Sequence, residues 1–238
     1  MKSTGNTSDV VVARTGSTWD ASPVMGPQQA VTPPRVDNAE QLLQASRRLD
    51  WRFLLPDPAL ERVAYCGPEK GSLLTSLRLF ATELHVFQTA TDADPKVQYD
   101  VVVACTPTAN QLHQAVHLVR PGGSLYVETP GLLWPAQWRR RRNPLLLRQR
   151  PRLWHPNDYV RALNQWGLAE ASAFWFWPNF DHCTKIIPLA DPVVLPYVFA
   201  PQTQPRGAKA RLKAAYKQWI VRSGWLTFLQ PSFGIIAQ

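Results

Sequence analysis

Cysteine is scarce in this chain: three in 238 residues, with no Cys-x-x-Cys pair among them. That excludes a paired-thiolate zinc site and a disulfide framework. Cys66, Cys105 and Cys183 are expected as free, small, buried thiols in a reducing cytoplasm. Long apolar runs are also missing. A spanning helix needs about 18 consecutive apolar residues, and none is expected here. The opening MKSTGNTSDVVVARTG has no continuous apolar stretch behind its lysine, which argues against a secretory signal. Acidic residues are few, 17 against 26 Lys and Arg, for a net charge of +9. Such a field favours nucleic acid, anionic lipid or phosphorylated substrates without choosing among them.

What is present is organised along the chain. Residues 1–38 are rich in Ser, Thr, Gly, Pro and Gln, without periodicity, and are expected as a disordered leader. Residues 39–238 then read as one α/β domain. DNAEQLLQASRRL (37–49) predicts a helix with Leu42, Leu43, Ser46 and Leu49 on one face. RVAYCG (62–67), ELHVFQ (83–88), YDVVVACT (99–106) and GGSLYVET (122–129) predict strands. The β-branched run at 101–103 reads as a central strand buried on both faces. SLLTSLRLFAT (72–82) and NQLHQAVHLVR (110–120) predict the intervening helices, and this alternation implies a doubly wound, mostly parallel sheet. HPNDYVRALNQWG (155–167) reads as a helix capped near Asn157 or Asp158 and stopped by Gly167. LAEASAFWFW (168–177) and PSFGIIAQ (231–238) read as strands. In GAKARLKAAYKQWIVRSG (207–224), Leu212, Ala215, Tyr216, Trp219 and Ile220 share one helical face, with Lys209, Lys213, Lys217 and Arg222 elsewhere; ordinary docking of that face on the sheet is expected.

Several of these segments together resemble the class I S-adenosylmethionine-dependent methyltransferases. LHQAVHLVRPGGSLYVETPG (112–131) is similar to that family's helix, Pro-Gly-Gly turn and fifth strand. YDVVVACT matches its fourth strand, led by Asp100, and NDYVRALNQWGLAEASAF (157–174) its later helix and sixth strand. PSFGIIAQ is similar to its closing antiparallel strand. The resemblance implies a Rossmann-like sheet with an antiparallel last strand, S-adenosylmethionine as cofactor, and methyl transfer to a small-molecule or lipid-linked acceptor. The cofactor would be held by Gly67, Glu69 and Gly71 after the first strand, Gln88 after the second and Thr106 after the fourth-strand match.

Three features depart from the family pattern. The glycine loop, Gly-x-Gly-x-Gly in the family, reads Gly67-Pro68-Glu69-Lys70-Gly71 here, with a glutamate in the middle. The second strand ends on Gln88 where a carboxylate would take the ribose hydroxyls; Glu69 is a candidate substitute acceptor. Only 12 residues, Thr89–Asp100, then lead to the next strand. A crossover with its own helix and strand needs roughly 30. The family's third strand and its helix are therefore expected to be absent. Two readings follow: a working methyltransferase, or an inactive fold kept as a binding or scaffold protein.

Other residues invite chemistry. His113 and His117 are four apart on a helix, but no Glu-His pattern or third ligand accompanies them, so no metal is assigned. FWFWPNFDHC brings Asp181 and His182 beside aromatics, which makes them the catalytic candidates. The basic insertion at 132–154 holds Arg139, Arg140, Arg141 and Arg142 beside Leu145–Leu147 and tryptophans. It predicts contact with an anionic membrane surface or a protein partner. Nucleic acid fits less well, because Pro144 and Pro151 break any regular basic face. The expected location is cytoplasmic, peripheral at the inner membrane surface where those arginines bind lipid.

Overall fold

The computed structural model describes residues 39–130, 155–191, 193–199 and 232–238, together with Gly207, Leu212, Ala215, Tyr216 and Trp219. All of these fall in one unit, Thr32–Gln238. The expected leader at 1–38 and the whole basic insertion at 132–154, Arg139–Arg142 included, lie outside the described residues.

Helix α1 (Ala39–Arg48) leads through a short 3-10 turn to strand β1 (Arg62–Cys66). Helix α2 (Ser72–Phe80), strand β2 (Glu83–Phe87), a 3-10 turn (Ala90–Asp92) and strand β3 (Tyr99–Cys105) follow. Next come helix α3 (Ala109–Leu118) and strand β4 (Val119–Pro130). Helix α4 (Pro156–Gln165), strands β5 (Ser172–Trp177) and β6 (Lys185–Pro188), helix α5 (Val194–Phe199) and strand β7 (Ser232–Ala237) complete the order. Local chemistry sets the boundaries. A capping box between Thr108 and Gln111 starts α3. The α4 cap is His155, two to three residues earlier than the polar pair Asn157–Asp158 suggests, with Pro156 at the first helical position. Gly167, at φ +99, ends that helix in a conformation that disfavours a β-carbon.

The sheet runs β2-β1-β3-β4-β7-β5-β6. The first four strands are parallel, and β7 is antiparallel to both its neighbours. The expected gap is real: among the described residues β2 pairs with β1 alone, and the residues from Thr89 to Gln98 form a turn in place of another strand and helix. This is a Rossmann-like, mostly parallel α/β sheet with an antiparallel last strand, and the described residues hold no further strand and helix between β2 and β3. Strand β6 was not foreseen; it pairs antiparallel with β5 and extends the far edge. Strand β4 also begins earlier than expected, because Val119 already pairs with Tyr99. The Pro121-Gly122-Gly123 turn bulges out before pairing resumes at Ser124. Gly123 must be glycine, since a β-carbon there would sit 2.8 Å from the Asp100 carbonyl.

The alternation along β3 divides the core. Val102 and Ala104 face one side with Leu112, Ala115, Tyr159 and Leu163 of α3 and α4. Val101 and Val103 face the other with Trp51, Leu73, Leu74 and Leu77. The stripe expected on α1 is corrected. Leu42 and Leu43 are exposed, while Ala45, Arg48 and Leu49 are buried. An ion pair made by Arg48 turns that face inward. The docking expected of the later helix is corrected too, since Leu212, Ala215, Tyr216 and Trp219 are all exposed.

Candidate functional site

Parallel strands in such sheets bind ligands beyond their carboxyl ends. There, between the ends of β1, β2 and β3, lies a cavity of about 600 Å³. Cofactor and small-molecule sites occupy ~300–1,000 Å³. Its walls are the loop Cys66–Lys70, the segment Gln88–Ala90, and Ala104–Pro107 with Gln111. Four of the five residues expected to hold a cofactor, Gly67, Glu69, Gln88 and Thr106, come together on this lining. Gly71 does not; it stands at the start of α2, with nothing within 4 Å of where a β-carbon would go.

The loop after β1 is fixed from below. The Gly67 amide donates to the Phe87 carbonyl at 3.0 Å, tying the loop to β2. A β-carbon on Gly67 would lie 2.8 Å from Cys105 Cβ and 2.9 Å from Tyr65 Oη. This glycine therefore serves close packing of loop on strand. Tyr65 Oη in turn donates to the Pro68 carbonyl at 3.1 Å. The loop so held brings Glu69 to the end of β2, where Gln88 Nε2 donates to Glu69 Oε1 at 3.3 Å. A carboxylate thus stands beside the strand end that lacks its own.

Thr106 follows β3 with φ of 51°. Left-handed backbone is rare for a β-branched residue and costs on the order of 1–3 kcal/mol. The conformation is pinned by its amide, which donates to the Glu128 carbonyl at 2.7 Å. Strain of this kind gathers at functional sites. The neighbouring thiols are poor nucleophiles. Burial pushes Cys66 up to about 12, helped by Asp92, and burial with the nearby Glu128 charge does the same to Cys105.

Asp181 and His182 do not line the cavity. Asp181 accepts a short hydrogen bond from Ser72 Oγ and lies 3.4 Å from Arg48 Nε. His182 is exposed, its amide bonded to Asn179 Oδ1. The aromatic stretch around them packs mainly into the sheet: Trp175 and Phe176 are buried, and Phe180 lies against Phe176 and beneath the Arg48 guanidinium. His113 and His117 pack ring against ring, with Trp166 beside His113.

A buried polar cluster went unforeseen. Arg48 Nη1 and Nη2 donate to Glu128 Oε1 and Oε2 at 2.5 and 2.6 Å, and Tyr126 Oη donates to Glu128 Oε1 at 2.8 Å. Arg48 is 7% exposed and Glu128 8%. Burial pulls the Arg48 guanidinium down, but Glu128 more than offsets this and leaves it above its ordinary value. Arg48 Nε also donates to Ser72 Oγ at 3.1 Å. One arginine thereby joins α1, the end of β4 and the start of α2. The signal was an arginine on the buried side of α1 and an acid closing a hydrophobic strand, too far apart in sequence to read as a pair.

No family model matches the chain, and no curated protein matches it. Solved structures do. A SAM-dependent methyltransferase from Archaeoglobus fulgidus is 12% identical, over 84% of this chain and 94% of that one, with a TM-score of 0.48. A SAM-dependent methyltransferase of Thermotoga maritima, described as a possible histamine N-methyltransferase, is 10% identical over 83% and 89%, with a TM-score of 0.43. One from Thiobacillus denitrificans, in complex with S-adenosylhomocysteine, is 9% identical over 84% and 90%, with a TM-score of 0.34. These are likenesses of fold; the strand order above defines the fold of this chain independently.

Proposed function

We propose that the protein is an S-adenosylmethionine-dependent methyltransferase acting on a small-molecule or lipid-linked acceptor, with the cofactor in the cavity at the ends of β1–β3. The observation that carries this reading is the placement of Glu69 beside Gln88. A ribose diol needs an acceptor for two hydroxyls, and a carboxylate offers one for each. Gln88 does not supply that alone, but the Glu69 carboxylate next to its amide does. The residues present therefore fit the cofactor: a cavity of suitable size, a carboxylate at the ribose position, and a loop held close by Gly67. When bound, S-adenosylmethionine offers an activated methyl group for in-line displacement. The protein's contribution is positioning: Glu69 and Gln88 orient the ribose, and Thr106, fixed by its strained backbone, presents its side chain at the cavity wall.

No general base is assigned. Cys66 and Cys105 keep their protons at neutral pH, and Asp181 is engaged with Ser72 and Arg48. An acceptor that enters as a free amine or thiolate needs none. The missing crossover favours a second reading, an inactive fold that binds a partner through its basic surface, because the turn Thr89–Gln98 leaves little to cover a nucleobase. We assign the protein to the cytoplasm, since its three cysteines are free thiols.

Thermal unfolding separates the two readings. A ligand that binds only the folded state raises the midpoint, with a stabilisation that grows as the logarithm of its concentration over Kd. S-adenosylmethionine should raise it while ATP and NAD at the same concentration leave it in place. A midpoint indifferent to all three at millimolar ligand would sink the enzyme reading and leave the scaffold.

A further inference from the structure

We propose that the helical stretch carrying Leu212, Tyr216 and Trp219 docks the protein on an anionic lipid surface. Residues four and seven apart share one side of a helix. All three are helical here, and they form a stripe open to solvent: Leu212 is 74% exposed, Tyr216 60% and Trp219 56%. Ala215 beside them is exposed as well. The Tyr216 and Trp219 rings stack at 6.2 Å and 21°, so the two present one joint aromatic surface. A soluble helix ordinarily turns such a stripe into the core. This one turns it outward.

Charge selects the occupant. From Pro192 to Gln238 the chain has no Asp or Glu, but it has Arg206, Lys209, Arg211, Lys213, Lys217 and Arg222. Five of these basic residues fall within the 207–224 segment that holds the stripe. An apolar stripe of Leu, Tyr and Trp in a segment whose sequence is rich in Lys and Arg is the composition of a helix that lies in a lipid interface. Tyr and Trp settle at the headgroup level because each has an apolar body and a polar edge, and the cations meet anionic headgroups. A second copy of the same helix would bring like charge to like charge, which disfavours self-docking. An oligonucleotide would satisfy the cations and stack on the rings, but it gives Leu212 and Ala215 nothing apolar to meet. The inference does not depend on the cavity or on what fills it.

The test is co-sedimentation of the full chain with vesicles of phosphatidylcholine alone and of phosphatidylcholine mixed with phosphatidylglycerol. The protein should sediment with the mixed vesicles and far less with the neutral ones, and added salt should weaken the binding. The double variant Tyr216→Ser, Trp219→Ser should unfold at the wild-type temperature, because both side chains are exposed. It should bind the mixed vesicles about tenfold less tightly or worse, having lost both interfacial rings. Unchanged binding by this variant overturns the proposal. So does binding that is lost only when Arg139–Arg142 become Ser, since that places the contact on the arginine run. Failure to sediment with either vesicle overturns it too, as does a wild-type dimer in the analytical ultracentrifuge that the double variant abolishes.

Discussion

Arg48 and Glu128, 80 residues apart in sequence, meet as a buried bidentate ion pair at 2.5 and 2.6 Å. Removing one partner of such a pair leaves a buried charge alone and costs about 3–5 kcal/mol, while replacing both with apolar residues of similar size is often near neutral. Arg48→Met alone should therefore lower the urea midpoint strongly, and Glu128→Leu alone should do the same. The double variant Arg48→Met, Glu128→Leu should recover most of the loss, less the hydrogen bonds to Ser72 and Tyr126. Chemical denaturation of the four proteins in one cycle checks this. A double variant as unstable as the sum of the singles would mean that the pair acts through something other than its mutual charge.

The buried thiols and phenols set a pH dependence. Cys66 and Cys105 are pushed from 9.0 up to about 12, and Tyr65 and Tyr126 also move up, all led by burial. In the unfolded chain the thiols ionise near 9; in the folded one they stay protonated. The stability they confer is full below pH 9 and is lost as pH climbs from 9 toward 12. Equilibrium unfolding as a function of pH should show a falling free energy over that range, shallower in the variant Cys66→Ala, Cys105→Ala. At pH 8, iodoacetamide should label both cysteines in urea and neither in buffer. Rapid labelling of Cys66 in the folded protein would contradict its burial.

Thr106 stores strain at the cavity wall. Glycine accepts left-handed backbone without the steric cost, so Thr106→Gly should lose no stability and should gain up to about 1 kcal/mol. Ligand binding should nevertheless weaken, because the wall side chain is gone. Stability held or gained with binding lost is the signature of a residue kept for function. A fall in both, by thermal unfolding and calorimetry, would make Thr106 an ordinary packing residue.

The strands with strong local signatures were legible in sequence. Val101–Val103 read as a central strand because β-branched residues buried on both faces leave a continuous apolar run, and Pro121-Gly122-Gly123 marked the turn beside it. The missing crossover could be counted, since a chain of 12 residues has no room for a helix and a strand. Strand β6 and helix α5 were hidden by Pro188, Pro192 and Pro196, which break both periodicities. The four residues of β6 owe their conformation to pairing with β5 rather than to their own pattern. On α1 the leucines pointed to the wrong face, because Arg48 is drawn inward by a partner no local window contains. Glu69 and Gln88 stood out separately as anomalies, but only the fold brings them side by side.

Calorimetric titration with S-adenosylhomocysteine, run on wild type and on Glu69→Gln, tests the central claim most directly. Both chains should fold equally, since Glu69 is exposed. Wild type should bind, and Glu69→Gln should bind about tenfold or more weakly, as expected for loss of a charged acceptor to ribose hydroxyls. Equal affinity in the two proteins, or no heat from wild type at millimolar ligand, would contradict the assignment of Glu69 as the carboxylate that β2 lacks.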